Sequence, residues 1–357
     1  MKVAIITDQH FGARNDSIVF LDFFQKFYDN VFFPTIDDHK IETVLILGDT
    51  FDRRKYVNFY ALKRAKEMFF DRLAERNINV IMIAGNHDTY YKNTNDVNSP
   101  ELLLQEYDNI TIISNPQTIH LDYENPSCDV LMLPWICAEN YAQTIQEITN
   151  TSATLCMGHL EISGFAMYKG MESHEGMDKK TFEKFDLVFS GHYHHRSNDG
   201  QIYYLGNPYE LTWQDYRDPR GFHLFSVHDR QLEFIVNPYS MFVRIEYDDN
   251  SETGKTIDLD SMDLKDCFVK LVVVNKTDLY KFDKFTAKLY TKGCAEIKII
   301  ENFSEYEEGT IDGDINLEDT MSVLDNYIDS IQTDADKERI KQYMKALYTE
   351  AVNMEVA

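Results

Sequence analysis

The sequence predicts an α/β fold in which two β-sheets form a sandwich flanked by helices, followed by a small α/β module and a helical tail. Apolar runs at 2–7, 43–47 and 79–84 are typical of buried parallel strands. Residues with helical hydrophobic spacing fill both intervals between these runs, which indicates a β-α-β-α-β series with helical crossovers. Each run is followed by polar residues, so the series also predicts a functional edge of the sheet.

Two helices are predicted between these three strands. Apolar residues recur at helical spacing from 17 to 33, and we expect Pro34 to end that helix. A second amphipathic pattern covers about 58 to 76.

The middle of the chain is predicted to complete a second sheet. A short helix is expected at 101–107, and short strands within 110–136. Further apolar runs at 154–157 and 186–190 predict two more strands. Antiparallel strands that complete the second sheet are expected at 201–205, 221–227 and 231–236.

Changes in composition divide the chain into four parts. Residues 1–240 form the main domain, 241–300 a small α/β module, 301–316 an acidic linker and 317–357 a tail of two amphipathic helices. Lysines of the module, Lys270 and Lys276 among them, are expected at its surface. The apolar faces of the tail helices carry Leu324, Ile328, Ile331, Ile340, Met344 and Leu347.

Composition excludes several classes of protein. The chain has 357 residues, of which 43% are hydrophobic, so it can bury a large core and is not disordered. It contains no apolar run of 18 or more residues, and its first residues read as a strand rather than a signal peptide. Five scattered cysteines without a CxxC pair indicate a reducing compartment, so we expect a cytoplasmic location.

The formal net charge of −25 argues against tight DNA binding by the chain alone, since phosphate contacts supply most non-specific affinity. Much of this charge lies after residue 300, where 15 acidic residues face 4 basic ones. The acidic balance therefore leaves DNA open as a substrate.

Potential metal ligands follow five apolar runs, at the points where strands are predicted to end. Because the carboxyl ends of neighbouring parallel strands share one edge of a sheet, we expect these ligands to meet there. Carboxylate, amide and imidazole ligands together favour manganese, iron or zinc over calcium. A single aspartate or Gly-His after a strand is more simply a helix cap or a turn, but five such loops indicate a shared site. The residues are Asp8, His10, Asp49, Asn86, His87, His159, His192 and His194.

These loops resemble, in order, the motif set of the calcineurin-like metallophosphoesterases. The matching stretches are Asp8-x-His10, Gly48-Asp49-x-x-Asp52, Gly85-Asn86-His87-Asp88, Gly158-His159 and Gly191-His192-x-His194. The resemblance implies two divalent metal ions per chain, with manganese favoured over magnesium, iron or zinc.

The same resemblance implies a role for each ligand. One ion would be held by Asp8, His10, Asp49 and His194, and the other by Asp49, Asn86, His159 and His192. His87 would be the catalytic histidine that contacts the phosphate and protonates the leaving oxygen.

A narrower resemblance extends beyond the last metal motif. Residues 204–213, Asp215 and Arg220-Gly221-Phe222 are similar to the segment at that place in SbcD-type double-strand-break repair nucleases. This implies a DNA exonuclease or endonuclease acting in recombination, repair and replication, with a DNA-capping module at 241–300. It also implies a homodimer and a tail that binds an SbcC-type ABC ATPase. The alternative for the tail is that its two amphipathic helices dock on their own domain.

Some residues near the centre depart from the family pattern or extend it. Asp52 stands where some relatives have a second catalytic histidine, so Asp52 and His87 are expected to share the catalytic work. Arg53, Arg54 and Lys55 are candidates for contact with DNA phosphate, and a solvated basic turn explains them equally well.

Two other functions fit the motifs less well. A phosphomonoesterase or cyclic-nucleotide phosphodiesterase would use the same metals, but the segment after residue 200 and the added module disfavour it. A scaffold without catalysis would have replaced ligands, whereas here every ligand position and His87 are filled.

Overall fold

A computed structural model of the chain describes residues 1–122, 128–168, 171–250 and 257–301. In the tail it describes Ile328, Lys337, Arg339, Ile340, Lys341 and Met344. The chain divides into two compact units, Met1–Glu305 and Tyr306–Ala357. Among the described helices, none has the length and apolar character needed to span a membrane.

The first unit contains the strands of the fold. They are β1 (Lys2–Ile6), β2 (Thr43–Ile46), β3 (Asn79–Ile83), β4 (Ile110–Ile113), β5 (Gln117–His120), β6 (Asp129–Leu133), β7 (Leu155–His159), β8 (Phe165–Tyr168), β9 (Met171–Ser173), β10 (Leu187–Gly191), β11 (Ser197–Asn198), β12 (Ile202–Tyr204), β13 (Gly221–Ser226), β14 (Gln231–Val236), β15 (Phe242–Asp248), β16 (Phe268–Asn275) and β17 (Glu296–Ile300).

The helices lie mainly between the strands. The α-helical segments are Ala13–Asp16, Ile18–Phe27, Phe33–Asp38, Phe59–Ala65, Asp71–Glu75, Ser99–Leu103, Tyr141–Asn150 and Leu279–Tyr290. Two π-helical turns, Tyr28–Phe32 and Lys66–Phe70, join the helical segments on either side of them. Short 3₁₀ turns cover Lys179–Phe182, Trp213–Asp215 and Leu259–Ser261.

Two six-stranded sheets make up the sandwich, as the sequence predicts. The first has the order β14-β13-β1-β2-β3-β4 and the second β11-β12-β10-β7-β6-β5. The strands β1, β2, β3 and β4 are parallel to one another, and so are β6, β7, β10 and β12. The parallel series predicted for the start of the chain is confirmed.

The core is layered because the central strands are buried on both faces. Along β1, Val3 and Ile5 belong to the core that the first sheet shares with the second. Ala4 and Ile6 belong instead to the core beneath the helices of the first sheet. This double burial explains why the strands read as continuous apolar runs rather than as alternating patterns.

Two expectations about elements are wrong. Pro34 does not end the first helix, which continues to Asp38 through the π-helical turn. In this turn the Phe33 N–H donates to the Tyr28 carbonyl, which lies five residues back instead of the four of an α-helix. The pattern of helical hydrogen bonds therefore changes directly before Pro34, which has no N–H to donate.

The strands after residue 200 are also distributed differently from the prediction. β13 pairs antiparallel with β1, and with β14 it extends the first sheet rather than the second. β12 joins the second sheet but runs parallel to β10. Hydrophobic spacing identifies these strands but carries no information about which distant edge they extend.

The segment after residue 240 forms a separate sheet of its own. β15, β16 and β17 are parallel, and the helix Leu279–Tyr290 connects the last two. Phe242 and Phe268 also pack against Phe20 of the main domain. The expectation that Lys270 lies at the surface is wrong, since it is buried with its ammonium 4.2 Å from the ring centre of Trp213.

The predicted tail is described only in part. Ile328, Ile340 and Met344 lie in helical segments, and Ile328 is buried. Leu324, Ile331 and Leu347 lie outside the described residues, as does almost all of the predicted linker at 301–316. The four-part division of the chain stays a prediction.

Candidate metal centre

The five predicted ligand loops meet at one edge of the sandwich. Asp8 and Asp49 follow β1 and β2, and Asn86 follows β3. His159 ends β7, and His192 follows β10 in the second sheet. Because all five strands run in the same sense within their sheets, their carboxyl ends face one shared space.

The first predicted ligand set is close-packed and almost entirely buried. The Nε2 atoms of His10 and His194 lie 3.0 Å apart. Oδ2 of Asp49 is 3.7 Å from His10 Nε2, and Oδ1 of Asp8 is 3.9 Å from His194 Nε2. The structure therefore brings together all four residues predicted for one ion.

The second predicted set forms a neighbouring cluster around Asn86. Its side-chain oxygen is 2.9 Å from His159 Nε2 and 3.0 Å from His192 Nδ1. Oδ2 of Asp49 is 3.4 Å from His159 Nε2. The carboxylate of Asp49 thus lies close to imidazoles of both sets, His10 in the first and His159 in the second, as expected for a bridging ligand.

Strained backbone aims several of these side chains. Asp8, His10, Asp49 and His192 all have positive φ, between 46° and 88°, a region that residues other than glycine rarely adopt. Such strain persists only where the surrounding structure fixes it, and it is common at functional sites. Here it turns each side chain from the end of a buried strand into the shared space.

Glycines make room for the two carboxylates. A Cβ atom on Gly85 would lie 2.2 Å from Asp49 Oδ1, and one on Gly191 would lie 2.9 Å from Asp8 Oδ2. A side chain at position 85 would meet the Asp49 carboxylate, and one at position 191 would meet the Thr7 hydroxyl at 2.1 Å as well as the Asp8 carboxylate, so both positions require glycine.

Hydrogen bonds from outside the centre hold the ligands in place. The imidazole of His159 donates from Nδ1 to the Leu47 carbonyl at 2.7 Å, so Nε2 is the ring nitrogen that faces Asp49. The Thr7 hydroxyl donates to Asp8 Oδ2 at 2.7 Å, and the backbone N–H of His192 donates to Oδ1 at 3.1 Å. These contacts set which atoms remain available to a cation.

The pKa values of the buried histidines fall into two groups. Burial lowers the pKa of His192 to about 3, with a contribution from His159, and burial with nearby His10 holds the pKa of His194 well below its usual range. Burial also disfavours the charged forms of His10 and His159, but nearby carboxylates, Asp49 among them, raise the pKa of each to about 9. Bound protons therefore offset the buried carboxylates at two positions where a cation would do the same.

The donor set fits divalent cations. Two imidazole nitrogens at 3.0 Å repel one another unless a proton or a cation lies between them, and His10 and His194 face each other in this way. Buried carboxylates, an amide oxygen and imidazoles are the ligands of manganese, iron and zinc sites. Residues Asp8, His10 and His194, and separately Asp8, Asp49 and His159, have ligand atoms close enough to share one ion.

The two predicted catalytic residues lie beside the first ligand set. The His87 ring lies 4.9 Å from the His10 ring and donates from Nδ1 to the Asp52 carbonyl at 2.6 Å. The Asp52 carboxylate lies 3.4 Å from His10 Nδ1. Asp52 therefore orients His87 through its backbone and His10 through its side chain.

The predicted DNA contacts flank this pair. Arg53 pairs with Asp16 at 3.2 Å and donates to Asn15 at 2.7 Å, so its guanidinium has partners within the protein. Arg54 is partly buried and Lys55 is exposed. A role of the three in DNA binding stays a prediction.

Three residues that support the centre were not assigned a role from sequence. Asp88 accepts backbone hydrogen bonds from Thr50, Phe51 and Gly85, which ties the loops after β2 and β3 together. Arg220 donates to the backbone carbonyl of His194. The third residue is Trp135, whose ring contacts those of His159 and His192. Asp88 and Arg220 lie in the motifs recognised from the sequence, whereas nothing in the sequence marks Trp135.

The class of protein is therefore a metallophosphoesterase with two sheets. It is indicated by buried carboxylate, amide and imidazole groups at the common edge of an α/β sandwich. The chain belongs to the calcineurin-like phosphoesterase family, whose model matches residues 1–196. Members of this family use divalent metal ions, and the clusters described above are where this chain offers ligands for them.

Individual relatives are nucleases. The chain is 30% identical to Exonuclease subunit 1 of Enterobacteria phage T4 over 357 aligned residues, which cover 98% of this chain and 99% of that protein. It is 23% identical over 256 residues to the SbcD subunit of nuclease SbcCD from Staphylococcus epidermidis, covering 65% of this chain and 67% of that one. The SbcD subunit from Staphylococcus saprophyticus is 21% identical over 254 residues, with the same coverage. The resemblance to SbcD-type nucleases is confirmed, as is the likeness to the recombination endonuclease subunit of T-even-type bacteriophages, which the motifs also indicate.

Proposed function

We propose that this protein is a metal-dependent DNA nuclease, an exonuclease and endonuclease that hydrolyses phosphodiester bonds during double-strand-break repair, recombination and replication. The observation that carries the proposal is the convergence of both ligand sets on Asp49 within a chain that resembles a phage exonuclease subunit over nearly its whole length.

The ligand assignments of the proposal follow the two clusters. Asp8, His10, Asp49 and His194 hold one ion, and Asp49, Asn86, His159 and His192 hold the second, with manganese as the favoured metal. When bound, two such ions supply Lewis acidity toward a phosphate oxygen and a water of lowered pKa.

The remaining work falls to His87 and Asp52. Because His87 Nδ1 donates to the Asp52 carbonyl, the ring is fixed and Nε2 is the atom left to carry a proton to the leaving oxygen. The Asp52 carboxylate, 3.4 Å from His10, stabilises the positive charge of the imidazoles around it. General-acid assistance of this kind contributes about 10²–10⁴-fold to a rate.

The proposed partners address the acidity of the chain. An SbcC-type ABC ATPase binds the apolar faces of the tail helices that the sequence predicts, in the manner of a helix in a groove. This partner contributes basic surface for DNA that a chain of net charge −25 lacks. The catalytic domain forms a homodimer, and the complex acts in the cytoplasm, which is the host cytoplasm if a phage encodes the chain.

A comparison of substrates tests the activity. With manganese, the protein should hydrolyse end-labelled duplex DNA and bis-p-nitrophenyl phosphate, and much less mono-p-nitrophenyl phosphate or cyclic nucleotide. Preference for the monoester or the cyclic nucleotide would replace the proposal with a phosphatase or a cyclic-nucleotide phosphodiesterase. Absence of hydrolysis of all four would indicate a scaffold.

A truncation tests the partner. The full chain should retain the SbcC-type ABC ATPase in a pull-down, and a chain that ends at residue 310 should not. Equal retention by both chains would place the partner's binding site elsewhere.

A further inference from the structure

Beside the metal centre lies a cavity of about 430 Å³ that none of the predicted ligands lines. One wall is Trp135, and Tyr141 stands at the start of the helix Tyr141–Asn150 on another. The other lining residues are Ile136, Glu161, Gly176, Met177, Asp178 and Thr181. The cavity is large enough for one nucleobase.

Trp135 connects this cavity to the centre. Its indole ring lies 5.1 Å from the His192 ring and 6.1 Å from the His159 ring, measured between ring centres. The cavity that it lines therefore begins one side chain away from two predicted metal ligands. A group bound there would lie next to these two predicted ligands.

The position of Trp135 is fixed by its backbone. Its N–H donates to the Ala84 carbonyl at 2.8 Å, which attaches it to the end of β3. Its carbonyl accepts from the buried side chains of Asn95 at 2.8 Å and Asn140 at 2.9 Å. The backbone of Trp135 is thus fixed, and its ring is partly exposed, as a stacking platform requires.

The charge of the cavity selects a base over a phosphate. Glu161 and Asp178 line it, and no basic side chain does so among the residues that the structure describes. A phosphate would be repelled by the two carboxylates, whereas every nucleobase is neutral and carries an N–H group that a carboxylate can accept. Tyr141, about half exposed, adds a second aromatic surface.

We infer that the cavity lined by Trp135 and Tyr141 binds the base of a nucleotide next to the phosphate being cut. The inference rests on the proposed nuclease function. The nucleotide bound at the metal centre is then unpaired, because a base that stays stacked inside a duplex cannot enter a cavity. Stacking on Trp135 holds the base, and because every base can stack on an indole ring, Trp135 does not select one base over another.

Three chromogenic diesters test the inference with manganese present. Thymidine 5′-(p-nitrophenyl phosphate) and thymidine 3′-(p-nitrophenyl phosphate) carry one base each, and methyl p-nitrophenyl phosphate carries none. For the native chain, at least one thymidine ester should exceed the methyl ester in kcat/KM. Trp135→Ala should reduce that ratio about ten-fold or more, the usual size of a lost stacking contact, and Trp135→Phe should reduce it less.

Two further variants keep the test independent of folding at Trp135. Tyr141→Ala removes the other aromatic wall and should also lower the ratio. Trp213→Phe changes the one other tryptophan of the chain, which lies outside the cavity lining, and should leave the ratio unchanged. The Trp213→Phe variant also leaves Trp135 as the sole tryptophan. With calcium in place of manganese, a tetranucleotide of deoxyadenosine should quench the fluorescence of Trp135. An abasic tetranucleotide of the same length should not.

The outcomes separate this inference from the proposed function. If DNA is cut but the thymidine and methyl esters react equally, and Trp135 fluorescence is unaffected by bases, the cavity does not bind a base and the nuclease function stands. If the simple esters are hydrolysed but DNA is not, both the nuclease function and the base site are wrong.

Discussion

Asp49 and His87 are joined directly, because the backbone N–H of His87 donates to Asp49 Oδ1 at 2.8 Å. The other carboxylate oxygen of Asp49 faces His10 and His159. The predicted bridging ligand therefore also positions the loop that carries the predicted catalytic histidine. Ligand geometry and placement of the proton donor depend on one carboxylate, which makes the loops after β2 and β3 a single unit.

The close approach of Gly85 to Asp49 predicts that Gly85→Ala impairs both metal binding and activity. The added methyl group would meet Asp49 Oδ1 at 2.2 Å and the Asp49 backbone nitrogen at 2.3 Å, so neither the side chain nor the strand end can keep its position. Manganese titration by calorimetry should show loss of at least one binding event. Hydrolysis of bis-p-nitrophenyl phosphate should fall by more than about 10²-fold, since correct positioning dominates such rates.

Gly200→Ala is the matched control for this prediction. Its φ of +98° strains a side chain, but no atom lies within 4 Å of the added methyl group. It should cost about 1 kcal/mol of stability and leave metal binding unchanged. Equal metal binding by Gly85→Ala and the native protein would contradict the packing argument.

Arg220 is predicted to position the loop of His194. It donates to the His194 carbonyl and to Asn207, and pairs with Asp215 and Asp218 at 2.7 Å. Lysine keeps the charge but cannot form this fork, so Arg220→Lys should weaken manganese binding about ten-fold and lower the free energy of unfolding by about 2 kcal/mol.

Arg217→Lys serves as the comparison, because Arg217 is exposed and lies over the Tyr216 ring. Calorimetric titration and urea unfolding should show no change for it. A manganese affinity of Arg220→Lys equal to that of the native chain would show that the network does not influence the His194 ligand.

The buried carboxyl of Glu210 should make stability depend on pH. Burial raises its pKa to about 7 from an ordinary 4.5, while it accepts the backbone N–H groups of Met241 and Phe242 at 2.6 and 2.9 Å. The folded state thus binds this proton more tightly than the unfolded state, so its contribution to stability is full below pH 4.5 and is lost as the pH rises through 7.

Glu210→Gln keeps an oxygen that accepts both bonds and removes the titration. Its free energy of unfolding in urea with a chelator, relative to the native chain, should increase by about 3 kcal/mol between pH 4.5 and 7.5. Glu233→Gln, at an exposed position on β14, should show no such trend. A pH-independent difference for Glu210→Gln would mean that the buried carboxyl does not titrate in this interval.

The convergence of the candidate ligands could be predicted from the sequence because their loops lie at the ends of buried strands. The apolar runs before Asp8, Asp49 and Asn86 are long, and a parallel sheet leaves only one edge for the residues that follow them. Local pattern and global geometry agree there.

Prediction failed where the structure depends on distant packing. The place of β13 beside β1 is set by pairing across more than 200 residues, about which hydrophobic spacing says nothing. Trp135 was missed because a tryptophan after a strand has the same appearance in the sequence as one in the core. The burial of Lys270 against Trp213 likewise depends on contacts between the module and the main domain.

Counting metal ions alongside DNA cleavage tests the central claim most directly. After dialysis against manganese, elemental analysis of the native chain and of His87→Ala should each show two ions per chain, and Asp49→Ala should show neither. The native chain should cut end-labelled duplex DNA, and His87→Ala should cut it about 10²–10⁴-fold more slowly. Two ions retained by Asp49→Ala, or normal cleavage by His87→Ala, would contradict the account.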